Sequence, residues 1–412
     1  MRYSFNKTLL VTSIVLALGS QAAFATNGLA PTGLGMEHRA MGGAAAGYAA
    51  NTTSMATNPA SASFINDGYD LGLEVFSPNR KVKYKSTGIT YSGNGEDMFL
   101  VPEGGYKKQI NDKVAAGVVV YGNGGMNSTY DTALPYRHPQ AGEIGFGTSN
   151  TNIDLKQLFV APTISYKVND NNAIGVSANI VYQELEANGL QSFDRASASA
   201  NPGFVTNKGT DSSMGVGATL GWQGKVSPNV TLGVAHRTKV KMGKLDKYKG
   251  LIANAGEMDV PAATTIGMAW QATPKTLIAA DVQHVYYTDV EAIGNSTDPT
   301  LKVGAKTGFG WDDVTAYKIG VKHQVKPDLA LMAGYNHGNS PVGPEDTTLN
   351  ALTPAVSKDH ISLGVEKKLS PKSKLIASYV HAFENEVNGD SAHQYDLKMS
   401  QDALGIAFSR EF

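Results

Sequence analysis

The sequence predicts an all-β fold, a transmembrane antiparallel β-barrel of about fourteen strands, on three observations. From residue 69 onward, apolar residues alternate with polar or small ones at a period of two, the pattern of strands with one face on lipid and one on a lumen. The connections between these runs fall into a short and a long class that follow one another in strict succession. Beyond the first residues no apolar stretch is long enough for a spanning helix, and a closed barrel is the other way to pair every backbone group inside a bilayer.

The chain starts with an export signal. Arg2 and Lys7 precede an apolar run over 9–18, and Ala23-Phe24-Ala25 supplies the small residues of a cleavage site, so 1–25 reads as a signal peptide and Thr26 as the mature start. The run is too short for a membrane anchor, which takes about 20 residues. Loss of Arg2 and Lys7 leaves 33 of the 35 basic residues against 36 acidic ones, a mildly acidic mature chain. A near-neutral protein has no field to hold phosphates, which argues against a nucleic-acid partner. With no Cys, its stability comes from something other than disulfides, and a closed hydrogen-bonded barrel is one such source.

The alternation is explicit in individual strands. Within 173–183, Ile174, Val176, Ala178, Ile180 and Tyr182 share one face, and Gly175, Ser177, Asn179 and Gln183 the other. Val230, Leu232 and Val234 oppose Thr231, Gly233 and Ala235; Ile266, Met268 and Trp270 oppose Thr265, Gly267 and Gln271; Tyr317, Ile319 and Val321 oppose Lys318, Gly320 and Lys322. Polar groups at every second position would be costly in a soluble core, whereas a lumen accepts them.

Short connections carry turn residues at 110–112, 168–172, 226–229, 272–275, 325–328 and 369–372. Long ones, rich in Gly, Asn, Asp and Ser, lie around 127–152, 185–211, 242–257, 288–312, 338–358 and 385–398. Tight periplasmic turns and long extracellular loops are the outer-membrane arrangement, and an even strand count returns both barrel ends to the periplasm. At the C-terminus, Leu404, Ile406, Phe408 and Phe412 share the lipid face, and a terminal Phe is the usual signal for the outer-membrane assembly machinery. The expected location is the outer membrane of a Gram-negative cell, as a multi-pass barrel surrounded by lipid and lipopolysaccharide.

Residues 26–66 do not alternate, and the barrel is expected over 67–412. By composition 26–66 is either a disordered periplasmic tail or a plug. Inward glycines at 117, 175, 217, 233, 267, 320, 334, 364 and 405 either make room for a plug or ease barrel curvature.

Thr26-Asn27-Gly28, Gly33, Gly35, Met41-Gly42-Gly43-Ala44 and Asn58-Pro59-Ala60 resemble the N-terminal hatch of the FadL family, outer-membrane transporters of long-chain fatty acids and related hydrophobic compounds. Phe99-Leu100-Val101-Pro102, 111–113, 233–237, 260–262, 267–270 and Ser340-Pro341 resemble other segments of that family, so the likeness spans essentially the whole mature chain. The resemblance implies fourteen strands around a hatch marked here by Asn58, Pro59 and Ala60. It also implies ligand capture among the extracellular loops, a shift of the hatch, and sideways release at a kink in the third strand. That strand reads 114–121 and then meets Gly122-Asn123-Gly124-Gly125, where Gly122, Gly124 and Gly125 either bend it into a lateral gate or open a loop.

The substrate is weakly encoded. A carboxylate would call for an inward cation, and Arg237 and Lys318 point inward by the alternation. Each could equally pair with a lumen carboxylate such as Asp281 or Glu366. An aromatic hydrocarbon, as some relatives carry, needs no cation. No cofactor or metal is expected: His236, His284, His323, His337 and His381 are scattered singly on outward faces. No GxSxG motif or nucleophile with a base stands out, so an enzyme is not expected. The competing readings are a general diffusion porin and, further off, an outer-membrane lipid-modifying enzyme.

Overall fold

The computed structural model describes residues 26–138, 142–297 and 302–412; the expected signal peptide lies outside the described residues. Fourteen strands form a closed ring: β1 Gly68–Tyr84, β2 Phe99–Gln109, β3 Val114–Thr129, β4 Asn152–Asn169, β5 Asn172–Asn188, β6 Asp211–Ser227, β7 Val230–Arg237, β8 Ala263–Thr273, β9 Thr276–Val285, β10 Val314–Lys326, β11 Leu329–Gly338, β12 Asp359–Ser370, β13 Ser373–Asn388 and β14 Tyr395–Glu411. Each strand pairs antiparallel with the next in sequence, and β14 closes on β1 from Glu411↔Gly68 to Tyr395↔Tyr84. A closed ring leaves no sheet edge, which is what lipid demands.

Four of the short turns share one build. On β6, β8, β10 and β12 the register shifts one residue before the strand ends, and the loops are Pro228-Asn229, Pro274-Lys275, Pro327-Asp328 and Pro371-Lys372. Proline pre-sets the turn backbone and needs no hydrogen-bond acceptor, so one dipeptide pattern serves four times. The long connections at the other end number seven rather than six. The additional one, 85–98, was not separated by the sequence reading because Ile89–Ser92 folds back as a strand on Lys81–Tyr84 and carries no distinct loop composition.

Outward side chains are apolar and uncovered, as in Leu71, Ile164, Ile266, Tyr317 and Leu404, while the alternate residues are buried. A continuous apolar exterior on a sheet this long is a lipid-facing belt. Phe412 follows the last residue of β14, donates its backbone N–H to Asp67 O (3.0 Å), and packs 6.0 Å from both Tyr69 and Tyr106, an aromatic group at the turn-bearing rim.

Residues 26–66 occupy the lumen. From Thr26 to Gly47 every residue but Leu34 is buried, a degree of burial that a free tail could not show. Of the nine inward glycines, seven face this plug. A methyl group added to Gly233 would lie 1.7 Å from Ala46 O, to Gly320 2.4 Å from Met41 O, and to Gly175 2.4 Å from the Pro59 backbone. Gly117, Gly334, Gly364 and Gly405 are filled likewise by Met55, Gly42, Ala40 and Met36. Two differ: Gly217 faces Val240 of an extracellular loop, and Gly267 leaves room for Asp281, which itself holds the plug. Gly105 and Gly221, not singled out from sequence, complete the ring against Thr52 and Asn58.

Candidate transport path

The plug is fixed near the periplasmic turns by charge. A short helix, Met36–Arg39, aims Glu37 at Lys322 Nζ (2.6 Å) and Lys374 Nζ (2.9 Å), and Glu366 bridges the same two ammonium groups at 2.8 and 2.9 Å. Burial alone would push the Glu37 carboxyl up. The Lys322 and Lys374 charges, with hydrogen bonds from Lys322 and Tyr48, overcome it and hold the group well below the usual carboxylate range. On the other wall, Arg39 meets Glu74 at 3.1 Å and Glu103 at 3.3 Å, and Glu103 also accepts the Met36 N–H at 3.0 Å.

Further pins are neutral-to-charged. Asp281 Oδ2 accepts the N–H groups of Ala45 (2.8 Å) and Ala46 (2.9 Å), and Asp70 accepts the Thr52 N–H (2.8 Å). Asn58 caps a turn of 3-10 helix, Pro59–Ser63, by accepting the Ala60 N–H at 3.1 Å, with Pro59 at a position that has no need of an N–H. Its amide nitrogen donates to Ala46 O (2.8 Å) and to Trp222 O on the β6 wall (3.0 Å). Asn58-Pro59-Ala60 therefore joins two plug segments to the barrel.

Above the plug the lumen is apolar. Leu29 and Ala30 lead a continuous buried cluster that includes Met126, Ile153, Leu185, Tyr287 and Trp311 and is closed by loop residues such as Leu134, Phe146, Ile252 and Leu352. Tyr287 Oη accepts the Leu29 (2.7 Å) and Ala30 (2.9 Å) N–H groups and donates to Asn27 O (2.7 Å), tying the start of the described chain to the loop after β9. Beside it is a cavity of about 30 Å³, whose lining includes Gly28, Leu29, Arg80, Met126 and Trp311. The Gly, Asn, Asp and Ser that mark the long loops give no sign of this cover. Their aromatic and Leu/Ile residues were the signal of an apolar lid.

Gly122, Gly124 and Gly125 lie inside β3, which runs on to Thr129 rather than opening into a loop. The ladder from β3 to β4 shifts at Asn123, an extra residue between Gly122↔Leu158 and Gly124↔Gln157. The ladder from β3 to β2 ends at Tyr121↔Glu103, although Phe99–Pro102 of β2 still pair with β1. Pairing toward the first loop resumes only at Thr129, with Gly93 and Gly95. Between these points lies a window without ladder bonds across β2 and β3, and the plug presses on it: a methyl group on Gly124 would sit 1.8 Å from Leu29 O.

The two cations expected from sequence occupy different surroundings. Lys318 Nζ donates to Thr32 O of the plug (2.8 Å) and to Gln283 Oε1 (3.0 Å), opposite Asp281 in the ladder. Arg237 donates to Asn123 Oδ1 at the bulge (2.7 Å) and to Pro261 O (3.2 Å), and lies 5.6 Å over the Phe159 ring. Glu366 serves Lys322 and Lys374 instead of either. Sequence reasoning passed over Arg80, an inward residue of β1 that reaches Asn127 at the upper end of the window. Its neighbours give no local sign that it is buried.

Among the described residues no group of His, Asp and Glu is placed to hold a metal ion. His236, His284, His337 and His381 each bond through Nδ1 to a Thr or Asp on the following strand.

Residues 9–412 match the outer membrane protein transport protein family (OMPP1/FadL/TodX). The fold is similar to the crystal structure of the Pseudomonas putida toluene transporter TodX, at 20% identity and a TM-score of 0.72 over 92% of this chain and 99% of that one. It is similar to the Ralstonia pickettii toluene transporter TbuX at 17% identity, with a TM-score of 0.67 over 92% and 99% of the two chains. A Pseudomonas aeruginosa FadL homologue shares 16% identity, with a TM-score of 0.66 over 93% and 100%. A comparison with curated protein sequences finds no match.

Proposed function

Because the chain belongs to the OMPP1/FadL/TodX family of outer-membrane transport proteins, we propose that it carries hydrophobic small molecules, long-chain fatty acids or related apolar or aromatic compounds, across the lipopolysaccharide leaflet. The ligand is captured under the loops and leaves sideways between β2 and β3. The observation that carries this reading is the adjacency of three features: an apolar cluster, the plug segment around Leu29, and a window in the ladder that this segment covers.

The apolar cluster replaces water around the ligand, at roughly 0.8 kcal/mol per CH₂. Movement of 26–32, the hatch step, uncovers the window. Exit through the wall spares the ligand a return to water in the periplasm. No covalent step is needed, so transport is taken as the whole activity.

The test is deletion of Asn123, which removes the extra residue and lets β3 pair in regular register. Uptake of a labelled hydrophobic compound should be lost while the purified protein still binds it. Unchanged uptake would overturn lateral exit. A large steady conductance of the intact protein in a planar bilayer would favour a porin instead.

A further inference from the structure

Four inward positions stand side by side across the wall from β11 to β14. The ladder pairs Asn336 with His360, His360 with Ala382 and Ala382 with Gln401, so their side chains share one level of the lumen. All four are buried. Thr26 meets this row on both sides of Ala382, the short side chain between two longer ones. Gln401 Oε1 accepts the Thr26 N–H at 3.0 Å, and Gln401 Nε2 donates to Thr26 Oγ1 at 3.4 Å. On the other side, the His360 ring faces the backbones of Thr26 and Asn336.

Acceptors outnumber donors here. Among the described residues neither His360 nitrogen completes a hydrogen bond, and Asn336 Oδ1 has no donor. Lys318, next in the row, turns its ammonium to Thr32 O and Gln283 instead. Buried polar atoms are ordinarily paired, so neighbouring ones left open call for a donor. A peptide nitrogen at Thr26 brings one hydrogen, and Gln401 takes it. A free amine at the same place brings two, or three as an ammonium, and an imidazole nitrogen and an amide oxygen can accept them. Removal of the signal peptide after Ala25 turns the one group into the other. Thr26 is also enclosed: residues 26–33 are all buried, so a leader still attached would have to thread out of a closed lumen.

We infer that Gln401 and His360, backed by Asn336, form a binding site for the chain's own α-amino group, so that removal of the signal peptide supplies the last ligand the upper plug needs. The inference rests on cleavage after Ala25, as expected from the sequence, and is independent of the compound transported. The site is built of amides and an imidazole, so it selects the amine by the number and direction of its hydrogens. An acylated or extended chain end at Thr26 offers one hydrogen where the site has acceptors for more.

An amino-terminal threonine carries its amine and hydroxyl on adjacent carbons, a pair that periodate cleaves, so mass spectrometry of the purified mature protein reads this one residue. Oxidation of Thr26 should be at least about 100-fold slower in the folded barrel than after denaturation. His360→Gln keeps an acceptor and should keep the protection. His360→Leu removes the acceptors and should speed oxidation about tenfold, the size of one lost hydrogen bond. Gln401→Met carries the same expectation and replaces His360→Leu if that variant does not fold. A serine inserted between Ala25 and Thr26 is open to the same reagent but carries the amine one residue beyond the site, and it should be oxidised at nearly the denatured rate. Equal protection of the inserted serine would show that the lumen shelters any chain end. Equal rates for His360→Gln and His360→Leu would show burial without recognition, and a mature terminus at another residue would take the amine out of the site. Each of these overturns the inference and leaves the transport reading as it stands.

Discussion

The lower and upper ends of the plug are held by different physics. Near the periplasmic turns, Glu37 and Arg39 are locked into buried ion pairs with Lys322, Lys374, Glu74 and Glu103. At the upper end, residues 26–31 rest against apolar side chains and a handful of neutral hydrogen bonds, among them those of Tyr287, up to Thr32, whose carbonyl accepts from Lys318. Ion pairs out of water are all-or-none, because losing one partner strands the other charge. Apolar contacts can be exchanged for those of a hydrophobic ligand at little net cost. The lower end is therefore an anchor, and the upper end is the part that a ligand can displace.

The largest expected effect comes from breaking the anchor. Glu37→Gln leaves Lys322 and Lys374 facing each other with Glu366 alone between them, at a cost of about 3–5 kcal/mol. Protease sensitivity of the plug should rise sharply while the barrel keeps its heat-modifiable mobility on gels; an unchanged plug would mean the anchor is not electrostatic. Acid should act in the same direction. The Glu37 carboxyl is held below its ordinary value of 4.5, so its contribution is complete above that pH and is lost as pH falls through the depressed value. Proteolysis of the unaltered protein should therefore increase only in strong acid, and Glu37→Gln should remove that dependence.

A smaller effect follows from overfilling the ring of small residues. In Gly233→Ala the new methyl group meets Ala46 O at 1.7 Å, and neither backbone can yield far, so about 1–3 kcal/mol of strain is expected. Gly217→Ala is the matched control, since its methyl group meets a Val240 side chain at 2.9 Å and touches no plug residue. The thermal unfolding midpoint should drop for the first and stay closer to that of the unaltered protein for the second. Equal shifts would show that these glycines serve barrel curvature instead.

This contrast also marks what was legible beforehand. Alternation exposed the strands and their faces because a two-residue period is local, and the Pro-containing turns fixed where chains reverse. Asn58-Pro59-Ala60 was found through its resemblance to the FadL-family hatch, and the cap that it makes over Pro59–Ser63 came only with the structure. The anchor was not visible: Glu37 and Lys374 are 337 positions apart, and nothing near either one signals the other. Nor was the length of β3. Its glycines allowed either a bend into a gate or a loop; they continue the ladder to β4, and at Gly124 the approach of Leu29 O leaves no room for a side chain. Arg80 looked like any polar residue in a strand that reaches past the bilayer, since burial by a returning loop leaves no local trace.

The smallest change tests the upper end directly. Tyr287→Phe removes the hydroxyl that accepts from Leu29 and Ala30 and donates to Asn27. Unmet backbone groups would be expensive, but the adjacent cavity of about 30 Å³ has room for a water molecule to take over some of those bonds. The net loss should be roughly 1 kcal/mol, too little to shift the barrel's unfolding. It should instead appear as faster amide exchange at Leu29 and Ala30 with no change at Ala45 and Ala46, whose N–H groups are held by Asp281. If the upper end is what a ligand displaces, the same substitution should also quicken ligand association, because part of the displacement cost has already been removed. Faster exchange throughout 26–47 would mean the plug moves as one body, and the division between anchor and displaceable end would fail.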